Sequence, residues 1–326
     1  MKMDAETKAT LISIGSIKID ASLVKRLTIP TAGPGAGGRA IFLKSEGHRV
    51  RLAVNSDSEL EGMADGDEIV VLKAGRELLR AKIEEELIHC PEQAYITISE
   101  RCIYDCKFCA VPKIEGRIKS TDEIIRMVDE AAKTGCLKAI SITSGVADSP
   151  EREVERAVDA VKALRKYDVP IGVSIYPTKD STRLLKDAGA SEIKYNVETM
   201  DREIFKEVCC ELDLDFVLES LKESVLVFGK NRVYSNMLIG LGETDETVEA
   251  GVEELVRMGV IPILRAIAIN PLRAGEFTGA RPTPERILRL ARMTKEKLEK
   301  YNLRVDRSKT MCLPCGGCDL VPQIDL

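Results

Sequence analysis

Histidine is nearly absent from this chain: His48 and His89 are the only two among 326 residues. Zinc sites that finish a cysteine hook with histidine therefore have little to draw on. Long apolar runs are missing as well, so no segment is expected to span a bilayer. The opening Met-Lys-Met-Asp-Ala-Glu-Thr-Lys is too polar for a signal-peptide core. A cytoplasmic protein with no membrane partner is the expectation. Basic residues are in deficit, 48 Lys and Arg against 53 Asp and Glu, for a net charge of −5. That balance argues against a nucleic-acid partner, because phosphate binding wants a basic surface. The glycine-rich run at 30–38, Pro-Thr-Ala-Gly-Pro-Gly-Ala-Gly-Gly, has no Gly-Lys-Ser/Thr after it and no clean strand before it. It reads as a loop or lid and not as a phosphate loop.

Cysteine, by contrast, is plentiful. Ten cysteines without an export signal point to metal ligands in a reducing compartment, not to disulfides. Cys102, Cys106 and Cys109 form a C-x3-C-x2-C array directly after the strand-like run Ala-Tyr-Ile-Thr-Ile at 94–98. Three thiolates on so short a loop can hold three irons of a cubane [4Fe–4S] cluster and leave the fourth open to a small molecule. Half of a zinc site, or a set of buried thiols, is the plainer alternative. Phe108, just before the third cysteine, adds a specific detail. The loop resembles the signature of the radical S-adenosylmethionine (SAM) superfamily. The resemblance implies that the open iron chelates the amino and carboxylate groups of SAM. The reduced cluster then cleaves SAM to methionine and a 5′-deoxyadenosyl radical, with ferredoxin or flavodoxin as the kind of electron donor required.

By pattern the chain has three parts. Residues 1–90 carry strand candidates at 40–43, 50–54 and 68–72 between Gly and Asp turns, which predicts a small β-rich unit. Seven Lys and Arg between Ser16 and Ser56 face only Asp20 and Glu46, and the balance reverses over 57–92. A solvated surface explains this simply; a docking face for an acidic carrier protein is the sharper reading. Over 91–301, strands at 94–98, 138–143, 170–175, 192–197, 232–239 and 260–269 alternate with helices. Ser120, and Ser149 followed by Pro150, mark helix starts, and Gly135 a helix end. Six right-handed β/α units imply an α/β fold, a partial (β/α)6 barrel too short to close. Residues 302–326 are a tail, and Leu-Arg-Val-Asp at 303–306 is a candidate for one further strand.

Chemistry in β/α barrels sits at the C-terminal strand ends. After the second strand come Ser144 and Gly145, where the superfamily carries a short motif for the SAM amino group. After the fourth come Asn196 and Glu198, similar to the Asn-x-Asp-Thr pattern of the biotin synthase branch with glutamate in place of aspartate. The resemblance implies polar contacts to SAM or substrate; a helix cap is the alternative for Glu198. After the fifth comes Gly-Leu-Gly-Glu, with Gly240, Gly242 and Glu243 matching the adenine-side motif. Arg265 lies inside an apolar strand, where an unpaired charge is costly. It either pairs with a carboxylate or faces the substrate.

Cys312, Cys315 and Cys318 form a second array, C-x2-C-x2-C, typical of iron–sulfur spacing. A zinc knuckle is the alternative. If 303–306 is a strand parallel to the others, this cluster arrives at the catalytic end of the barrel. Cys209, Cys210, Ser308, Cys90 or substrate could supply a fourth ligand. Cys90 and Cys136 precede strands, at the wrong end, and read as structural. The whole looks like the biotin synthase-related group, including the archaeal two-component lipoyl synthases. The implied activity is sulfur insertion at an unactivated carbon, with a second, auxiliary [4Fe–4S] cluster. An acyl-carrier or lipoyl-domain protein and a second synthase component are the implied partners. A peptide- or cofactor-modifying enzyme with an electron-transfer cluster, and a non-catalytic iron–sulfur carrier, are the alternatives.

Overall fold

The structure is a computed structural model describing residues 2–23, 36 and 38–326. The glycine-rich run at 30–38 lies outside the described residues, apart from Ala36 and Gly38. Helix α1 (Ala5–Ile14) opens on Asp4, whose carboxylate accepts from the Thr7 amide at 2.8 Å, and ends at Gly15 with φ 72°. Six strands follow: β1 (Ser16–Ile19), β2 (Ala40–Ser45), β3 (His48–Val54), β4 (Leu60–Asp65), β5 (Glu68–Lys73) and β6 (Arg76–Glu84). They close into a barrel in the order β1-β3-β2-β6-β5-β4, because β1 pairs parallel with both β3 and β4. Period-two alternation turns Ile41, Leu43, Val50, Leu52, Val71 and Leu79 inward, a core that the three strands legible in the sequence only outline.

The remainder is the expected β/α alternation. Strands β7 (His89–Cys90), β8 (Gln93–Thr97), β9 (Ala139–Thr143), β10 (Ile171–Ser174), β11 (Glu192–Lys194), β12 (Val233–Ile239) and β13 (Ile261–Ala266) lie side by side in chain order. From β8 to β13 every pairing is parallel; β7 turns back antiparallel along β8. The covering helices are α2 (Thr121–Lys133), α3 (Pro150–Leu164), α4 (Ser181–Ala188), α5 (Arg202–Val208), α6 (Leu214–Phe228), α7 (Asp245–Met258) and α8 (Pro284–Lys300). Ser120, Ser149, Thr244 and Thr283 cap their helices by accepting from backbone amides. The sheet is open, and the small barrel touches both of its edges. Arg49 pairs with Glu92 at 2.7 Å beside β7 and β8, while Ala266 and Ala291 pack into the small barrel's core.

The tail departs from expectation. Residues 303–306 form no strand; Val305–Arg307 is a single 3-10 turn. The chain then crosses the barrel at the starts of the strands, not beyond their ends. Glu192, buried at the start of β11, accepts from the Lys309 amide at 2.9 Å and from the Thr310 amide and hydroxyl at 2.8 and 2.6 Å. Gln93, at the start of β8, brackets Met311 with two hydrogen bonds of 2.8 and 3.0 Å. Gly172 leaves room for this passage: a β-carbon there would lie 2.1 Å from the Thr310 hydroxyl. The short helix α9 (Cys312–Cys315) therefore enters the barrel from below.

Candidate functional site

The cysteine loop leaves β8 at its C-terminal end and is tied down on three sides. From the β9 side, Gly145 donates to the Ser99 carbonyl at 2.9 Å, and Ile103 donates to the Val146 carbonyl at 2.7 Å. A β-carbon on Gly145 would lie 2.4 Å from the Arg101 carbonyl oxygen, so only glycine fits. From α5, the Val208 carbonyl accepts from the Lys107 amide at 2.8 Å. From the loop after β13, Arg273, whose side chain is fully buried, donates to the Cys109 carbonyl at 2.6 Å and pairs with Asp105 and Glu276, each at 2.6 Å. Arg273 holds the Asp105 carboxyl down at about 2. Arg273→Ala is expected to speed iron loss from this loop to a chelator by roughly tenfold, the usual scale for groups that orient ligands. Iron in the tail of the same protein serves as the internal control.

All three loop thiols face one cavity of about 260 Å³. The Val146 amide donates to the Cys102 sulfur at 3.4 Å, a bond that favours thiolate, although burial outweighs it and raises the thiol. Burial pushes Cys109 up to about 12. A bound cation would displace those protons. Ser144, Gly145, Phe108, Asn196 and Glu198 line the same end. Glu198 sits at φ 59°, in the left-handed region that a glutamate rarely adopts. Burial pushes its carboxyl up to about 7, against the opposing pull of Asn196, Lys194 and Arg265.

The tail cysteines line the lower part of the same cavity. Cys312, Cys315 and Cys318 face it together with Lys194 and Arg265. Lys194 lies 3.5 Å from the Cys312 sulfur. Burial acts to raise the Cys312 thiol, but Lys194 and Arg265 prevail and hold it below the ordinary range. Arg265 does both things expected of it. It grips Asp319 with two bonds of 2.9 and 2.6 Å, and it faces the cavity.

Other expected residues lie elsewhere. Gly240, Gly242 and Glu243 shape a turn beyond the cavity lining: the Glu243 carboxylate accepts from the Gly240 and Leu241 amides at 2.9 and 2.8 Å and from Arg286. The Ser144 hydroxyl, though at the cavity wall, accepts from the Ser99 amide at 3.0 Å and donates to buried Glu153. Cys209 is buried at the end of α5, beside the cysteine loop that the Val208 carbonyl holds and not beside the tail, and Cys210 and Cys136 are exposed. Cys90, read as structural from its place before a strand, lines the cavity at the tail end. Sequence reasoning missed Lys194 and Asn236. Lys194 was detectable as a charge inside a central strand; the Asn236 carboxamide oxygen, buried without a hydrogen-bond partner on the cavity wall, carried no local signal.

Among the described residues, no group of three or more His, Cys, Asp or Glu is arranged to hold a single metal ion. A cubane cluster makes a different demand, with thiolates at its corners around a volume and not meeting at a point. Soft thiol donors on a shared cavity fit that group.

Residues 96–255 match the family model of the Radical SAM superfamily. A biotin synthase of Hydrogenobaculum sp. (strain Y04AAS1) is 29% identical over 219 residues, covering 60% of this chain and 65% of that protein. A second biotin synthase, from Aquifex aeolicus, is matched over 46% of its length, so the chain spans about half to two thirds of these relatives. A probable GTP 3′,8-cyclase of Saccharolobus islandicus is 26% identical over 248 residues, 71% of this chain and 79% of that one. Among solved structures, methylornithine synthase (PylB) superposes with a TM-score of 0.52 at 18% identity over 71% of this chain and 72% of its own. SuiB of Streptococcus suis, solved with S-adenosylmethionine, gives 0.52 at 16% identity over 65% and 48%. These two show the fold alone, a partial barrel. Over residues 96–255 the chain is similar to the Radical SAM superfamily.

Proposed function

We propose that this protein is a radical SAM enzyme that converts an unactivated C–H bond to a C–S bond, as the biotin synthase likeness suggests, with an iron–sulfur cluster on each thiol array. The observation that supports this is the sharing of one cavity by Cys102, Cys106 and Cys109 with Cys312, Cys315 and Cys318. When bound, the loop cluster supplies the electron that cleaves SAM to a 5′-deoxyadenosyl radical, and the tail cluster supplies sulfide. The protein's task is placement. A carbon that has lost its hydrogen must lie within bonding reach of sulfur, so both arrays must address one enclosed space. Asn196, Asn236 and Glu198 offer polar contacts for SAM or the head of a substrate. Val146, Ile175, Leu212 and Leu238 give the cavity apolar walls suited to an alkyl chain. Tyr104 and Tyr176, edge to face at 5.4 Å, stand at the same wall and help exclude water. An octanoyl chain on a lipoyl-domain lysine is the substrate class we favour, with a second synthase component as partner.

The test uses an octanoyl-lysine peptide and protein reconstituted with isotopically labelled sulfide. Labelled sulfur in the product, with at most about one turnover per chain, is the expected result. Unlabelled product, or many turnovers with iron unchanged, would transfer the tail cluster to an electron-carrying role.

A further inference from the structure

We propose that Cys90 is the fourth protein ligand of the tail cluster, so that Cys90, Cys312, Cys315 and Cys318 form a complete four-thiolate set. The inference rests on the reading that the tail cysteines hold an iron–sulfur cluster. It starts from strand topology. β7 is only two residues long and runs back along β8, placing Cys90 opposite Gln93. Gln93 is the residue that brackets Met311, immediately before Cys312. A position some 220 residues away in sequence is thereby stitched to the tail array.

Cys90 is 1% exposed and packs with Cys315 against Phe42 and Tyr95. An inert core cysteine would turn to apolar neighbours alone, whereas this one meets another thiol on the wall of a cavity that Cys312 and Cys318 also face. The loop carrying them is fixed from the far side. Gly316 takes φ 64°, and its carbonyl accepts from buried Lys8 at 2.7 Å. Four thiolates leave a [4Fe–4S] cluster with net negative charge, and Lys194 and Arg265 stand beside the set to balance it. Each thiol would release its proton to solvent on binding iron. The other candidates are worse placed. Cys209 and Ser308 do not line the cavity, and Cys136 and Cys210 are exposed. His89, next in sequence, sets its ring edge-on to Tyr95 with centroids 5.3 Å apart.

The experiment isolates the tail cluster in the full chain by replacing Cys102, Cys106 and Cys109 with alanine, followed by anaerobic reconstitution. With Cys90 present, about four irons per chain are expected, and cyanide should leave the reduced electron paramagnetic resonance signal unchanged, since no iron is open. Cys90→Ala should open one iron. Cyanide then shifts the signal, and mild oxidation leaves roughly three irons. The inference is overturned if cyanide shifts the signal while Cys90 is in place, a measurement that needs no Cys90 variant to fold. It is also overturned if the Cys90→Ala variant keeps four irons and an unchanged signal, or if His89→Ala opens the site instead. Absence of any iron from the tail with Cys90 intact would instead sink the underlying two-cluster reading, and this ligand assignment with it.

Discussion

Replacing Cys102, Cys106 and Cys109 together by alanine is expected to abolish 5′-deoxyadenosine formation while the tail keeps roughly four irons. The triple change is needed because of a neighbour. Cys209 is buried next to Val208, whose carbonyl holds the loop at the Lys107 amide, so a single Cys106→Ala variant has a substitute thiol at hand. No histidine can stand in, since His89 lies at the tail end of the cavity and His48 is bound to Asp325 at 2.8 Å. The loop itself should survive the change. Its shape comes from Arg273 on the Cys109 carbonyl, from the Val146 and Val208 carbonyls, and from Glu153 bonded to the Ser99 hydroxyl at 2.8 Å. Loss of activity would then report loss of ligands and not of fold. The check is product analysis by chromatography after anaerobic incubation with SAM and reductant. SAM cleavage persisting in the triple variant would contradict the assignment of this loop.

The β/α region was legible because its signals are local. Ser120, Ser149, Thr244 and Thr283 stand where helices begin, Gly189 and Gly259 where they end, and apolar residues recur with helical period between them. The first cysteine array was legible for the same reason, its ligands being eight residues from end to end. The small barrel was only half visible. β6 reads Arg-Glu-Leu-Leu-Arg-Ala-Lys-Ile-Glu, a composition that suits a helix; pairing with β2 and β5 makes it a strand with Leu79 and Ala81 inward. The entry of the tail was not legible. Leu303 and Val305 alternate with charged residues as a strand would, but no local pattern shows that a carboxylate at 192 and an amide at 93 will seize residues 309–311. The place of Cys90 on the cavity wall was hidden for the same reason. At the start of the first strand it looks far from chemistry, and it is far from the first array; a second array that arrives from below meets it there.

That threading makes Glu192 the next test. Its carboxylate is fully buried and gathers four donors: the Lys309 amide, the Thr310 amide, the Thr310 hydroxyl and Arg232 at 2.7 Å. Glu192→Ala leaves the buried Thr310 amide and the part-buried Lys309 amide without an acceptor and Arg232 without a counter-charge. Breaking such a site by removing one partner costs about 3–5 kcal/mol. The damage should be directional. Thr310 and Met311 lead straight into Cys312, so the tail is expected to slip from the barrel floor and release its iron. The first array is held by Arg273, Val146 and Val208, none of which touches Glu192, and should keep its iron and its SAM cleavage. The expected variant therefore forms 5′-deoxyadenosine but no sulfur-containing product. Glu192→Gln retains one carbonyl acceptor and should fall between the two. The measurements are iron per chain, thermal stability, and the ratio of 5′-deoxyadenosine to thiolated peptide. If Glu192→Ala keeps the tail iron and unchanged stability, the tail is not anchored through this carboxylate. If it loses both iron arrays together, the two sites are one cooperative unit and not separately held.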